Sequence, residues 1–124
     1  MTPAEHEFAQ LQLVSQTADR LGVDTESLDE VALLHAVERQ DADAFRLLER
    51  FRSAYREWFD TSVELQRAVE AGGDVEGARQ ALIGRIMERD RTRRLLVSFL
   101  DAHYPRGGNQ RYGGDIVAAS GIPI

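Results

Sequence analysis

The chain has 124 residues, 43% hydrophobic and 29% charged, a balance that suits one small packed domain rather than two cores or a disordered chain. Its 15 basic residues, all arginine, stand against 21 acidic ones; the formal charge of -6 gives no overall support to non-specific attraction to phosphate backbones or anionic membranes. The absence of cysteine excludes a disulfide framework, a thiolate nucleophile and a zinc site with sulfur ligands. No apolar run reaches the ~18 residues of a membrane span, and Glu5 and Glu7 stand where a secretory signal would be positive, so a soluble cytoplasmic protein without a membrane partner is expected.

Prolines stand only at positions 3, 105 and 123, which leaves the stretch from Ala4 to Tyr104 free of the strongest helix breaker. Thr2-Pro3-Ala4-Glu5 has the form of a capping box with proline at the first helical position, and predicts a helix over about 3–21. Gly22 follows as a left-handed terminator, with Val23 beyond it to make the usual hydrophobic contact. Phe8, Leu11, Val14, Ala18 and Leu21 are the side of this helix expected to cover the rest of the fold.

Ser27-Leu28-Asp29-Glu30 repeats the capping-box spacing ahead of Val31, Leu33, Leu34 and Val37, predicting a second helix over about 28–39, with Asp24 or Thr25 as an earlier cap. Asp41 can cap a third, 42–71, that ends at Gly72-Gly73; Asp74 can cap a fourth, 75–103, that Tyr104-Pro105 closes. Along the third, Ala44, Leu48, Phe51, Tyr55, Trp58, Ser62, Leu65 and Val69 alternate spacings of four and three. Phe45, Phe59 and Val63 broaden this seam, so it suits a helix packed against two or more neighbours. Helices of about 30 residues are ~45 Å long, and a turn of two or three residues makes them antiparallel. The expected fold is therefore all-α: a three- or four-helix bundle on a long antiparallel hairpin, with a helical domain over 1–104 and an irregular glycine-rich tail over 105–124.

The fourth helix is apolar at Ala78, Leu82, Ile83, Ile86 and Met87, then polar from Glu88 to Arg94 before Leu95. In a hairpin centred on Gly72-Gly73, facing residues have numbers that sum to about 146, which sets Arg89 opposite Glu57 and near Asp60. Arg85, Arg89 and Arg93 share a face at four-residue spacing. They read as a layer paired with acidic groups and stacked on Tyr55 or Trp58, or as a binding site for an acidic partner or phosphate. Nucleic acid is the alternative partner: residues 85–111 carry seven arginines against three acids, and Arg106-Gly107-Gly108 and Arg111-Tyr112-Gly113-Gly114 have the mixture of flexible RNA-binding segments. Charge also divides along the chain. Residues 1–45 hold two arginines and ten acids, net -8, and residues 46–124 hold 13 and 11, net +2, a polarity suited to head-to-tail self-association.

No catalytic, cofactor or metal site is expected. His6, His35 and His103 lack the Glu-x-x-His spacing of a di-iron bundle, and there is no Walker A lysine, glycine-flanked nucleophilic serine or dinucleotide fingerprint. In layout, from Leu33 to Tyr104, the chain resembles the small helical chaperones of flagellar or type III export, which are acidic, cysteine-free and built on a long hairpin with a flexible C-terminal segment. The likeness is one of pattern over about 70 residues, and the same layout would serve a small helical subunit of a phage particle or bacterial complex. It implies a non-enzymatic interaction or assembly protein that binds a protein partner or a second copy. The binding residues expected are Arg85, Arg89, Arg93, Arg106, Arg111, Tyr112, Ile116, Val117, Ile122 and Ile124. The alternatives are a nucleic-acid-binding protein and an accessory subunit of an enzyme.

Overall fold

The computed structural model describes residues 1–26 and 29–105; the glycine-rich segment from position 106 onward lies outside them. Four helices, α1 (Pro3–Arg20), α2 (Glu30–Gln40), α3 (Ala42–Ala71) and α4 (Val75–His103), account for the fold, and no strand occurs among the described residues.

The local signals act as their chemistry dictates. The Thr2 side chain accepts from the Glu5 N–H at 3.1 Å and Glu5 answers on the Thr2 N–H, closing the capping box. Gly22, at φ 81°, ends α1, with Val23 N–H donating to Ala18 and Gly22 N–H to Asp19, the paired bonds of a Schellman motif. Gly72, at φ 68°, ends α3, and Asp74 accepts from Gly77 N–H at 2.9 Å to open α4. The start of α2 departs from expectation. Asp29 is its N-cap, accepting from Ala32 N–H at 2.8 Å, so the helix begins at Glu30; Ser27 and Leu28 lie outside the described residues.

Asp41 is the corner of the structure. It is the one residue between α2 and α3; its Oδ1 accepts from Asp43 and Ala44 N–H, and its Oδ2 accepts the Tyr104 hydroxyl at 2.8 Å, which fastens the end of α4 to the α2–α3 junction. That bond, followed by burial, raises the Tyr104 pKa above the usual phenol value. On the same end Arg20, with its side chain only 4% exposed, donates to Asp101 at 2.8 Å and to the Tyr104 carbonyl at 3.1 Å, tying α1 to α4.

The core lies toward this end. Leu13, Val14 and Ala18 of α1, Leu33 and Val37 of α2, Leu48, Phe51 and Tyr55 of α3, and Leu96 and Leu100 of α4 are all buried in one cluster. Tyr55 is enclosed on both flanks by rings, edge-on to Phe51 and Trp58. The expected covering face of α1 is only half right: Val14, Ala18 and Leu21 are buried, whereas Phe8 is 50% and Leu11 39% exposed. α1 instead packs with His6, Ala9, Gln10, Leu13, Gln16 and Thr17; the Gln10 amide and the Thr17 hydroxyl donate to backbone carbonyls and the His6 ring stacks on Phe59.

α1 reaches along α3 only as far as the contact between His6 and Phe59, whose rings stack at 4.3 Å. From Ser62 to Arg91 no residue is buried. The seam that is closed at Leu48, Phe51 and Tyr55 is half-open at Trp58 and Leu65, and Val69 at its far end is 59% exposed. The molecule is thus a four-helix body from which the tip of the α3–α4 hairpin projects as a two-helix arm.

Candidate functional site

The polar interruption in α4 faces α3 with the register expected from the diglycine turn, displaced by about one residue. Arg89 lies over the Trp58 ring, 4.6 Å from its centroid, with its side chain 18% exposed, and also contacts the neighbouring Asp90 at 3.3 Å. It does not face Glu57. That carboxylate is held by Arg85 at 3.0 Å, one helical turn toward the tip, in a half-exposed pair. Arg89 is near enough to the buried Tyr55 to oppose the upward push that burial gives its phenol. Arg91 points outward and is bonded through two nitrogens to Glu88, at 3.0 and 2.7 Å; this holds the Glu88 carboxyl below its ordinary pKa.

The structure therefore gathers Arg85 and Arg89 on the α3-facing side as separate stacking and pairing groups, with Arg93 partly buried farther along the same helix. Thr92 is the member of the polar stretch that goes inside, 2% exposed, its hydroxyl donating to helix carbonyls at Glu88 and Arg89. Arg106, Arg111, Tyr112, Ile116, Val117, Ile122 and Ile124 lie outside the described residues.

The outer side of α4 carries a different surface. Ile83 is 46% and Met87 66% exposed, one helical turn apart, beside an open groove of about 420 Å³ lined by Gly84, Met87, Glu88, Asp90, Arg91 and Arg94. Gly84 stands in the helix interior, where a Cβ would meet nothing within 4 Å. Its presence costs the helix about 1 kcal/mol relative to alanine.

Two further concavities lie on the body. Between α2 and the start of α3, Val31, Leu34 and Phe45 line an apolar groove of about 200 Å³, with His35 and Glu38 at its rim; Val31 is 63% exposed. Between α1 and α3, a polar cleft of about 420 Å³ is bordered by His6, Glu7, Glu30, Arg56 and Asp60, with Arg52 at its base. Burial lowers the His6 pKa; Asp60 and Glu7 oppose that shift and Arg56 adds to it.

Arg52 was not singled out by the arginine clusters of α4, yet it is a densely connected cation of the body. Its Nε donates to Gln10 at 2.8 Å, one terminal nitrogen to Glu49 at 2.8 Å and the other to Glu30 at 2.6 Å, while the Gln10 amide donates to the Arg52 carbonyl at 3.1 Å. This side chain joins α1, α2 and α3 and is committed to structure. A signal was available: Phe45, Arg52 and Phe59 stand seven apart on the side that broadens the seam.

Among the described residues no group of three His, Asp or Glu side chains is placed to hold a metal ion, and no helix is long and apolar enough to cross a membrane. Comparison with protein-family models, curated proteins and solved structures gives no significant match.

Proposed function

We propose that this chain is a non-enzymatic interaction or assembly protein, an adaptor, chaperone or small structural subunit, that docks a protein partner through the outer surface of the α3–α4 hairpin, aided by its C-terminal segment. One observation carries the reading: the hairpin extends past its own core and holds Val69, Ile83 and Met87 at the surface, 46–66% exposed, on a stretch where nothing is buried. Two helices alone bury too little to account for such a long apolar seam, and exposed apolar groups rimmed by charge are the usual composition of a docking patch. The arginines beside the patch set orientation more than affinity.

The test is retention of partners by tagged protein in a lysate of its own cells, comparing the wild type with the Ile83→Asp, Met87→Asp double variant. The reading expects a complex on the wild type that the variant loses while keeping its helical circular dichroism. Equal retention by both overturns it.

A further inference from the structure

We propose that the first two turns of α1, residues 3–9, are a proton-released latch: when His6 takes up a proton they lift from α3 and uncover Tyr55 and Phe59. The segment is lightly seated. From Met1 to Ala9 only His6 and Ala9 are buried, while Met1 and Phe8 are each 50% exposed. The Tyr55 hydroxyl reaches the Met1 sulfur at 3.8 Å, a weak bond. From Gln10 onward the helix is fastened: Gln10 exchanges hydrogen bonds with Arg52, and Leu13, Val14, Thr17 and Ala18 are fully buried. Before that point one imidazole carries most of the contact.

That imidazole has no place for a second proton. It lies nearly parallel to Phe59, with 4.3 Å between ring centres and 7° between planes, and 5.4 Å from Tyr55. Its Nδ1 is out of reach of water and has no hydrogen-bond partner among the described residues. A neutral ring can leave a bare lone pair there. The imidazolium must put an N–H on that nitrogen, so protonation in place buries an unpaired, charged donor.

The charged groups that face the ring are Glu7 on α1 and Arg56 and Asp60 on α3; across the cleft, Glu30 of α2 and Arg52 are paired with each other at 2.6 Å. Burial is the largest influence and outweighs the attraction of Asp60 and Glu7, and Arg56 adds repulsion, so the seated ring holds a proton less tightly than a free histidine. A released ring titrates near the ordinary value of about 6.5. Seating is therefore strongest above about pH 6.5, and release grows as pH falls from there toward the lowered value.

Release joins two surfaces. Tyr55 and Phe59 are closed, whereas Trp58 and Leu65 are half-buried and Val69 is exposed. With the latch lifted, α3 presents one apolar face from the body to the hairpin tip.

Deuterium uptake by the full chain between pH 7.5 and 5.5, a window in which ordinary carboxylates stay charged, tests this. The reporters are amides 7–12, whose acceptors lie mostly in the first two turns. After correction for the intrinsic pH dependence of exchange, their opening should rise by at least about threefold across the window and by no more than about tenfold per unit, the limit for one proton. Amides 17–20 and 51–55 should not follow. His6→Phe, which keeps a ring against Phe59, should flatten the dependence. Asp60 and Arg56 are exposed, so their variants retain the fold: Asp60→Asn should increase release at pH 5.5 and Arg56→Gln should reduce it, opposite directions that loss of a merely structural contact would not give. Opening that ignores acid, that rises equally in α1 and α3, that persists in His6→Phe, or that shifts the same way in both charge variants overturns the latch.

Discussion

Replacing Arg52 with methionine removes a cation that bridges three helices while keeping most of the side-chain volume. The bond from Nε to Gln10 is buried, with Gln10 6% exposed, and hydrogen bonds of charged groups in such places contribute about 1.5–3 kcal/mol. Glu30 and Glu49 are each 42% exposed and rehydrate when released, so those two pairs add about 0.5 kcal/mol apiece. The expected loss is about 3 kcal/mol, a large share of the ~5–15 kcal/mol that holds a small domain together. Urea unfolding should show a lower midpoint at unchanged slope. Gln10→Leu alone should cost about 1–2 kcal/mol, but on the Arg52→Met background much less, because the same bond cannot be lost twice. Losses that add within about 0.5 kcal/mol would show that the two residues act independently and would refute the bridge as a unit.

Arg89→Ala should destabilise by about 1.5 kcal/mol through loss of the Trp58 stack and the packed methylenes, and Arg91→Ala much less, because its pair with Glu88 is fully solvated; thermal melts that show equal, negligible effects would remove the stacking account. Stability should also fall with acid in a defined window. The folded protein holds His6 below its usual pKa, so the unfolded chain binds the extra proton first; stability is complete above about pH 6.5 and declines as pH falls toward the lowered value, and His6→Phe should erase that component of the pH profile. Removing residues 106–124 should leave helix content and melting nearly unchanged while abolishing retention of the partner; a complex that persists would take the C-terminal segment out of the docking surface.

Much of this architecture was legible because its punctuation is chemical and local. A capping hydroxyl, a proline in the first turn, two left-handed glycines and two capping aspartates mark the ends of α1, α3 and α4 within a residue, and the diglycine fixes the hairpin register closely enough to bring Arg89 to the Trp58–Glu57 neighbourhood. What periodicity could not give is how far a neighbouring helix reaches. α1 stops at Phe59, so the same seam that is closed at Tyr55 is open at Val69. Nor does hydropathy distinguish a polar residue with a partner from one without. Gln10, Arg52 and Thr92 go inside because each has its hydrogen bonds met there, while the apolar Phe8, Leu11 and Val31 remain outside. For the candidate site, the apolar positions Ile83 and Met87 were visible, but their orientation away from α3 depended on the structure.

The uneven distribution of core along the hairpin also has a kinetic consequence. Amide protons near Gly72 are guarded by little more than a frayable pair of helices, whereas those around Phe51 and Leu100 exchange only when the whole body opens. Deuterium uptake should therefore sweep inward from the diglycine tip as a gradient, and any molecule that clamps the outer face of α4 should flatten that gradient far from its own footprint.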